Sequence, residues 1–366
     1  MKAVIVSSSY SYLERVELLK EYYENKGYDT TVLLTDFIHT SKSYAKWNRK
    51  GYIFLKTQSY KKNISVARLY SHYRFAKDVA VQLENMEVDL LHILLPANSL
   101  TKVGKQYKEK HPNIELYFDI IDLWPETMPI SRFKKSYPFE YWRKLRDDYL
   151  GNADGIYCEC NLFTEVMNRT DDNRFKTLYW MKTDEPVKSN PMLSKDELHL
   201  CYLGSINNVI DIDYIAKMCE ELRKYQKVVL HIVGDGEKKE ELLQKTKATQ
   251  TEVIYHGLIY EPEKKQVIFD KCHFGLNIMK SSVCVGLTMK SLDYFQAGLP
   301  IINNIHGDTE DMIDTYKIGF NGYHALLKEI ASLQKEDYLA MRDNVKKLYY
   351  EKFTKEAFLK RLEEND

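Results

Sequence analysis

Two glycine-containing turns beside predicted secondary structure are candidates for a chemically active site in this sequence of 366 residues. Gly204-Ser205 follows a predicted strand, and Gly286-Leu287-Thr288 precedes a predicted helix. Both turns can expose backbone N–H groups, and the helix adds its positive end, so a diphosphate could bind there. Lys290, in the first turns of that helix, can place a full positive charge beside the phosphates.

Two further positions could contact the same ligand. Asp293 follows Lys290 by three residues and shares its helix face, so its carboxylate could accept hydrogen bonds from ribose hydroxyls. The alternative is a surface ion pair between the two side chains, worth only about 0.2–0.5 kcal/mol. Gly234 stands in a Val-Gly-Asp-Gly turn that could touch the ligand, or could only end a strand and cap a helix.

Aspartates near the end of another predicted strand are the candidates for a reacting carboxylate. Asp119 and Asp122 would face the ligand-binding edge of an α/β sheet, where either could act as a general base. The alternative for Asp122 is a structural carboxylate that caps the next turn. Asp211-Ile212-Asp213 has the Asp-x-Asp pattern of a metal-binding dyad. It lies at the start of a predicted helix, however, where helix capping explains the two aspartates better. No metal site is predicted.

The segments that carry these residues alternate between strands and helices. Residues 3–34 predict a strand, a helix ended by Gly27 and a second strand, which together form a βαβ unit. The first half adds strands at 90–95, 115–121 and 155–160 and helices near 66–86, 99–111 and 139–151. The second half predicts strands at 198–203, 228–233, 253–256, 274–278 and 300–303 and helices near 209–225, 237–247, 262–271, 288–297, 308–316, 336–350 and 354–364.

The sequence therefore predicts an α/β chain of two Rossmann-like parallel-sheet domains, a division that its length also favours. We expect an N-terminal domain at 1–180, a polar linker at 181–197 and a C-terminal domain at 198–350. A terminal helix, about 351–366, is expected to pack back on the first domain by analogy with similar proteins. Ligands bind beyond the carboxyl ends of strands in such sheets, so we expect an interdomain cleft to hold the site.

Composition excludes several other classes of protein. The formal net charge is zero, so no overall field attracts nucleic acid or a membrane. No stretch reaches the roughly 18 apolar residues of a membrane span, and the first apolar run is shorter than a signal peptide needs. The six cysteines are scattered without a CxxC pair, which favours reduced thiols in a cytoplasmic protein.

Segment 37–77 departs from this balance, because it holds ten lysines and arginines and no acidic residue. Aromatic side chains lie between the basic ones, and both kinds suit the surface of an anionic membrane, where each basic group gains roughly 1 kcal/mol. We expect docking on the inner face of the cell membrane; a solvated basic face or a self-association surface is the alternative. No recognition motif supports nucleic acid binding. Candidate membrane or acceptor contacts are Tyr10, Arg15, Lys61, Lys62 and Arg68.

Six stretches share an order and spacing that point to one family. They are Glu14-Arg15-Val16 with the following Gly27-Tyr28, Phe118 to Glu126 (FDIIDLWPE), Tyr202-Leu203-Gly204-Ser205, Ile232 to Gly236 (IVGDG), Tyr255 to Ile259 (YHGLI) and Gly286 to Ile302 (GLTMKSLDYFQAGLPII). Together they resemble bacterial GT-B glycosyltransferases of the large, mostly retaining group 1 type that builds capsules and exopolysaccharides.

This resemblance implies a glycosyltransferase that needs no cofactor or metal and that transfers a sugar from a nucleotide-sugar, for which a UDP-sugar is the first expectation. The acceptor that we expect, from the basic aromatic segment 37–77, is a polyprenyl-diphosphate-linked glycan at the membrane. Retention of anomeric configuration is favoured. Asp122 would orient the acceptor in a retaining enzyme and would be the base in an inverting one. The donor-binding residues would be Gly204, Ser205, Gly234, Gly257, Ile259, Gly286, Leu287, Thr288, Lys290 and Asp293, with the backbone from Gly257 to Ile259 along the nucleobase.

The sequence departs from the family pattern at three places. Val285 stands where many relatives have the first of two glutamates, of which Asp293 can replace the second. Ile206-Asn207-Asn208 lacks the usual Arg and Lys, and Ile121 replaces a histidine. A non-catalytic supporting subunit and a sugar-nucleotide 2-epimerase on the same fold are therefore the alternatives. A dinucleotide dehydrogenase is disfavoured, because the first turn has no glycine fingerprint.

Overall fold

Apolar strands and the helices between them build two parallel sheets in this chain. The computed structural model describes residues 1–45, 48–62, 65–128, 136–182, 185–194, 196–324 and 327–364. Two compact units make up the chain: residues 1–180 together with 359–366, and residues 181–358. The predicted α/β fold with two Rossmann-like parallel-sheet domains is confirmed. No helix in the described ranges combines the length and the apolar character that a membrane crossing requires.

The first unit contains a seven-stranded parallel sheet and a two-stranded antiparallel ribbon. The strands are β1 (Lys2–Ser7), β2 (Asp29–Thr35), β3 (Phe37–Ile38), β4 (Ser43–Tyr44), β5 (Tyr52–Leu55), β6 (Leu90–Leu95), β7 (Glu115–Ile120), β8 (Gly155–Cys158) and β9 (Phe175–Thr177). The helices are α1 (Leu13–Asn25), α2 (Val66–Leu83), α3 (Ser99–Lys110), α4 (Tyr137–Asp147) and α5 (Asn161–Val166). The main sheet has the order β5-β2-β1-β6-β7-β8-β9, so the strand order reverses between β1 and β6.

The second unit repeats the design with a six-stranded parallel sheet of order β12-β11-β10-β13-β14-β15. Its strands are β10 (Glu197–Leu203), β11 (Lys227–Val233), β12 (Glu252–Gly257), β13 (Phe274–Asn277), β14 (Ile301–Asn303) and β15 (Gly319–Asn321). Its helices are α6 (Ile212–Leu222), α7 (Lys239–Ala248), α8 (Pro262–Phe269), α9 (Met289–Gln296), α10 (Asp308–Tyr316), α11 (Leu327–Ser332) and α12 (Lys335–Lys352). The last helix, α13 (Lys355–Glu363), begins in this unit, and its residues from 359 onward belong to the first unit. Here the order reverses between β10 and β13, which makes their carboxyl ends the expected ligand edge.

The burial of the central strands explains why they could be predicted so clearly from the sequence. All six residues of β6 are buried, as are six of the seven in β11. Parallel strands covered on both faces read as continuous apolar runs, and those are the runs that the sequence shows. Short elements carry too few residues for such a signal. The strands β3, β4, β5, β9 and β15 and the helices α5 and α11 were not predicted.

Several predicted segments extend into parts of the chain outside the described residues. Lys46 and Trp47 of the basic segment 37–77 lie there, as do positions 183, 184 and 195 of the predicted linker and the last two of the terminal helix. Within the rest of that helix, the Arg361 guanidinium lies over the Tyr179 ring, 5.2 Å from its centroid. Both residues belong to the first unit.

A buried ion pair links α1 to β7 in the first unit. Arg15 donates from Nε to Asp119 Oδ2 at 2.6 Å and from Nη2 to Oδ1 at 2.8 Å, and both side chains are fully buried. Burial alone would raise the pKa of Asp119, but the guanidinium and a nearby histidine keep it below its ordinary value. Arg15 therefore offers no surface to an acceptor or a membrane, contrary to the sequence-based expectation. Asp119 is likewise engaged, which removes it as a candidate base.

Breaking this pair from one side should destabilise the first domain strongly. Arg15→Met or Asp119→Leu leaves an uncompensated buried charge, and we expect each to cost about 3–5 kcal/mol in the free energy of unfolding of that domain. The double variant should cost less than the sum of the two, because it removes both charges. Urea denaturation of the three variants measures this. Strict additivity would show that the two side chains do not stabilise each other.

Candidate active site

Glycines bring three strand ends of the second unit together at the carboxyl edge of its sheet. Gly204 (φ +118°) follows β10 and Gly234 (φ +143°) follows β11. The Gly204 N–H donates to the Val233 carbonyl at 2.9 Å, and the Gly234 N–H donates to the Gly257 carbonyl at 2.8 Å. Ser205 is exposed beside this turn and Ile259 is half-buried beyond Gly257. The predicted glycine positions therefore form one continuous edge.

The start of α9 lies at the same edge and is fixed by its cap. Thr288 is the N-cap, and its hydroxyl accepts from the Ser291 N–H. The Thr288 hydroxyl also donates to Asn277 Oδ1 at 2.8 Å. Just before it, the buried Gly286 accepts from the backbone and side chain of Thr309, at 2.9 and 2.6 Å. Leu287 is buried between these two anchors. Backbone N–H groups at the start of α9 thus have a fixed direction.

A row of asparagines holds this cap, and sequence reasoning missed it. Asn277, Asn303 and Asn321 end β13, β14 and β15 and are in register with one another. Asn277 Nδ2 donates to Asn303 Oδ1 at 2.9 Å, and Asn303 Nδ2 donates to Asn321 Oδ1 at 3.0 Å. Three neighbouring parallel strands that each end in asparagine are the signal that could have revealed this row.

Lys290 reaches from α9 to the end of β10. Its ammonium lies over the ring of Tyr202, 4.7 Å from the centroid, and the Tyr202 hydroxyl donates to the Ser205 carbonyl at 2.9 Å. Within the described ranges, Lys290 makes no ion pair or hydrogen bond. Burial lowers its pKa to about 8. Lys290, Gly204 and Ser205 are therefore grouped as the sequence predicts, with a cation that lacks a carboxylate partner.

Asp293 is bound differently from either sequence-based interpretation. Its Oδ1 accepts from Lys265 Nζ at 3.0 Å and from Lys182 Nζ at 3.1 Å. The alternative pair with Lys290 is absent from the ion pairs of the described residues. Lys182 and Lys265 are remote from Asp293 in sequence, so no local sequence pattern predicted these two ion pairs. A role for Asp293 in binding ribose stays a prediction. It would require the carboxylate to accept hydrogen bonds from the two lysines and from the ribose at the same time.

Asp122 forms the centre of a polar cluster in the first unit. Its Oδ2 accepts from the Tyr12 hydroxyl at 2.5 Å. Burial raises the pKa of Asp122, while the Tyr12 hydrogen bond and the charge of Arg68 oppose the rise. The Arg68 guanidinium lies over the Trp124 ring, 4.3 Å from its centroid. Tyr12 was missed, because a tyrosine at a helix start has no distinguishing sequence signal.

The other first-unit candidates surround this cluster unevenly. Tyr10 is half-buried in the turn after β1, and burial raises its pKa to about 12. Lys61 and Lys62 are exposed in the segment before α2. Arg68 is on the first turn of α2, which Ser65 caps by accepting from the Arg68 N–H. The structure thus groups Asp122 with Arg68 and leaves both lysines at the surface.

Comparisons with known proteins agree with this geometry. Residues 197–336 match the model of the family described as group 1 glycosyl transferases. Among solved structures, the lipopolysaccharide outer core galactosyltransferase WaaB (apo form) is similar with a TM-score of 0.69 and 13% identity, over 100% of this chain and 99% of that chain. The chain has the GT-B fold. Anabaena Alr3699/HepE in complex with UDP gives a TM-score of 0.67 and 11% identity, over 100% and 99% of the two chains.

A second lipopolysaccharide-biosynthesis glycosyltransferase, WaaG, shares the GT-B fold with a TM-score of 0.64 and 11% identity, over 100% of this chain and 98% of that chain. No curated protein sequence matches the chain. The family match covers the glycine edge and α9, whereas Asp122 and its cluster lie outside the matched range. The match and the GT-B fold together support a glycosyltransferase.

The lowered pKa of Lys290 can be tested directly. We expect the Cε resonance of Lys290, in carbon-13 lysine-labelled protein, to titrate with a midpoint near pH 8, because burial disfavours its charged form. Loss of the resonance in Lys290→Arg assigns it, and the exposed Lys217 provides the comparison. A Lys290 midpoint above 10 would show that its surroundings do not lower its pKa.

Proposed function

We propose that this GT-B chain is a metal-independent, retaining glycosyltransferase. It binds a nucleotide-sugar, in first place a UDP-sugar, on its second domain and transfers the sugar to a polyprenyl-diphosphate-linked glycan during capsule or exopolysaccharide synthesis. The observation that carries the proposal is Lys290, an ammonium held over Tyr202 at the glycine edge without a carboxylate partner in the described residues. The structures of Alr3699/HepE in complex with UDP and with UDP-glucose favour UDP as the nucleotide.

The chemistry follows from where negative charge develops. Glycosyl transfer breaks the bond between the anomeric carbon and a diphosphate oxygen, so the leaving diphosphate gains charge in the transition state. Backbone N–H groups at the start of α9 and near Gly204 would stabilise it, and Lys290 would add a full charge. Because these groups are already fixed by Thr288 and the asparagine row, they need little reorganisation when the bond breaks.

Nucleotide binding to the second domain tests this proposal. UDP at about 100 times its dissociation constant should stabilise the domain by roughly 2.7 kcal/mol, and each kcal/mol raises the melting temperature of a domain this size by about 2–4 °C. We expect this thermal shift without added metal. It should disappear in Lys290→Ala, because the diphosphate loses its cation.

Lys217→Ala is the matched control, since Lys217 is an exposed lysine of α6 in the same domain and outside the candidate site. It should leave the shift unchanged. Shifts with GDP or CMP but not UDP would correct the nucleotide only. No shift with any nucleotide would favour a non-catalytic supporting subunit whose donor site has decayed.

Asp122 is proposed to act on the acceptor. In the retaining reaction that we favour, its carboxylate orients the acceptor hydroxyl; in an inverting reaction it would remove that hydroxyl's proton. Either role requires the ionised carboxylate. Burial raises the pKa of Asp122, and the hydrogen bond from Tyr12 lowers it. The anomeric configuration of the product, read by NMR, separates the two reactions.

Removing the Tyr12 hydroxyl should shift the pH dependence of transfer. In Tyr12→Phe, Asp122 loses a hydrogen bond that favours its ionised form, so its pKa rises. The acid limb of kcat/KM should therefore move to higher pH, with activity retained above it. Tyr107→Phe, at a buried tyrosine of α3, is the control and should leave the limb in place. An unmoved limb in Tyr12→Phe would exclude Asp122 as the titrating group.

Docking on the inner face of the cell membrane is proposed for the basic segment 37–77. An exposed stripe of α2 carries Val66, Tyr70, Arg74 and Lys77, which recur at helical spacing. Such a mixture of basic and amphipathic side chains suits an anionic leaflet. Arg49 does not contribute, because it pairs with Glu17. The membrane would bring the enzyme to its lipid-linked acceptor.

A further inference from the structure

An apolar groove of about 670 Å³ opens on the first domain, between α2, α3 and α4. Leu69, Ala76 and Ala80 of α2 form one wall, and Val103 of α3 and Trp142 and Leu145 of α4 form the others. Tyr137 and Tyr141 at its rim are 82% and 60% exposed. Surface of this size and apolarity, on helices that otherwise carry charge, indicates a ligand with a hydrocarbon part.

One end of the groove is polar and borders the Asp122 cluster. His72 and Asn98 line it, and they are only 8% and 1% exposed. His72 Nδ1 and Asn98 Oδ1 have no hydrogen-bond partner among the described residues. The His72 ring stacks on Trp124, with centroids 5.7 Å apart, and the Arg68 guanidinium lies over the same indole. A ligand group at this end would meet a cation and two unsatisfied polar atoms.

A smaller cavity of about 300 Å³ adjoins the groove on the side of Arg68. It shares Leu69 and Trp142 with the groove and also touches Arg68. The rim adds Lys77 and Lys102, whose ammonium groups form no ion pair within the described ranges. One end of the groove has polar groups and the half-buried Arg68, its walls are apolar, and its rim carries basic groups. Together these features suit an amphipathic, anionic ligand. A free sugar would leave the apolar walls exposed.

We propose that this groove holds the first isoprene units of the polyprenyl chain, with the acceptor's diphosphate beside Arg68 and its sugar toward Asp122. The proposal rests on the proposed function and adds the lipid-binding site. The polyprenyl chain leaves the groove past Lys77 and Lys102. These two lysines are placed to contact the anionic membrane surface that contains the lipid. Burial of the hydrocarbon gives the enzyme a preference for lipid-linked over free glycans.

Binding of farnesyl diphosphate, a short soluble isoprenoid, tests the groove without any sugar transfer. The probe is titrated into the full chain by isothermal calorimetry, with inorganic diphosphate as the comparison. We expect farnesyl diphosphate to bind at least tenfold more tightly than diphosphate, because only it has a chain to bury. Ala80→Trp and Val103→Trp, which fill the groove from α2 and α3, should reduce its affinity to that of diphosphate. Arg68→Ala should weaken both ligands.

Two further variants keep the result interpretable. Val81→Trp places the same side chain at a position of α2 that is 65% exposed and outside the groove, and it should bind like wild type. Tyr141→Ser removes exposed apolar surface from the rim without filling the groove, so its fold is not at risk, and it should weaken farnesyl diphosphate several-fold. Thermal denaturation confirms that the tryptophan variants are folded.

Equal affinity for farnesyl diphosphate and diphosphate would overturn the proposal and favour a polar occupant such as the glycan itself. The proposal would also be overturned if farnesyl diphosphate bound tightly and the groove-filling variants left its affinity unchanged. The farnesyl group would then bind outside the groove. Failure of every nucleotide to stabilise the second domain would instead contradict the proposed function. The two failures are distinguishable, because the lipid probe and the nucleotide are measured separately.

Discussion

The second domain depends on a backbone contact that only glycine permits. A Cβ at position 234 would lie 2.0 Å from the Gly204 carbonyl oxygen, and one at position 236 would lie 2.3 Å from the Ile206 carbonyl oxygen. Any side chain there would force β10 and β11 apart at their carboxyl ends. The close approach lets the Gly204 and Gly234 amides bond to the neighbouring strand ends. Three separate loops thereby become one edge of fixed geometry beside the start of α9.

The opposite half of that edge is fixed by side chains. Asn277 and Asn303 are buried where their strands end, and a buried amide must find partners. They bond to each other, and Asn277 then accepts from Thr288, which sets the first turn of α9. The direction of α9 in turn decides where Lys290 lies. The cation is thus positioned by hydrogen bonds that begin two strands away, and a change in the asparagine row would alter the site without touching a ligand.

Sequence patterns predicted the parts of this arrangement that burial makes repetitive. The continuous apolar runs of β6 and β11 and the glycine turns gave the fold, the domain pair and the grouping of Lys290 with Gly204. They could not give pairings that tertiary structure alone creates. Arg15 meets Asp119 across 104 residues, and Asp293 meets Lys182 across 111. Where such a partner exists, it changes a residue's chemistry: a candidate acceptor contact becomes a buried structural cation.

The two candidate phosphate sites use different cations, and the proposed reaction explains the difference. A donor diphosphate becomes more negative as it leaves, so its cation should respond to that change. Lys290, whose pKa burial lowers to about 8, gains proton affinity as negative charge develops beside it. The acceptor diphosphate would keep its charge throughout the proposed reaction, and the Arg68 guanidinium is held over Trp124. A lysine at the donor and an arginine at the acceptor therefore match what each phosphate group does during transfer.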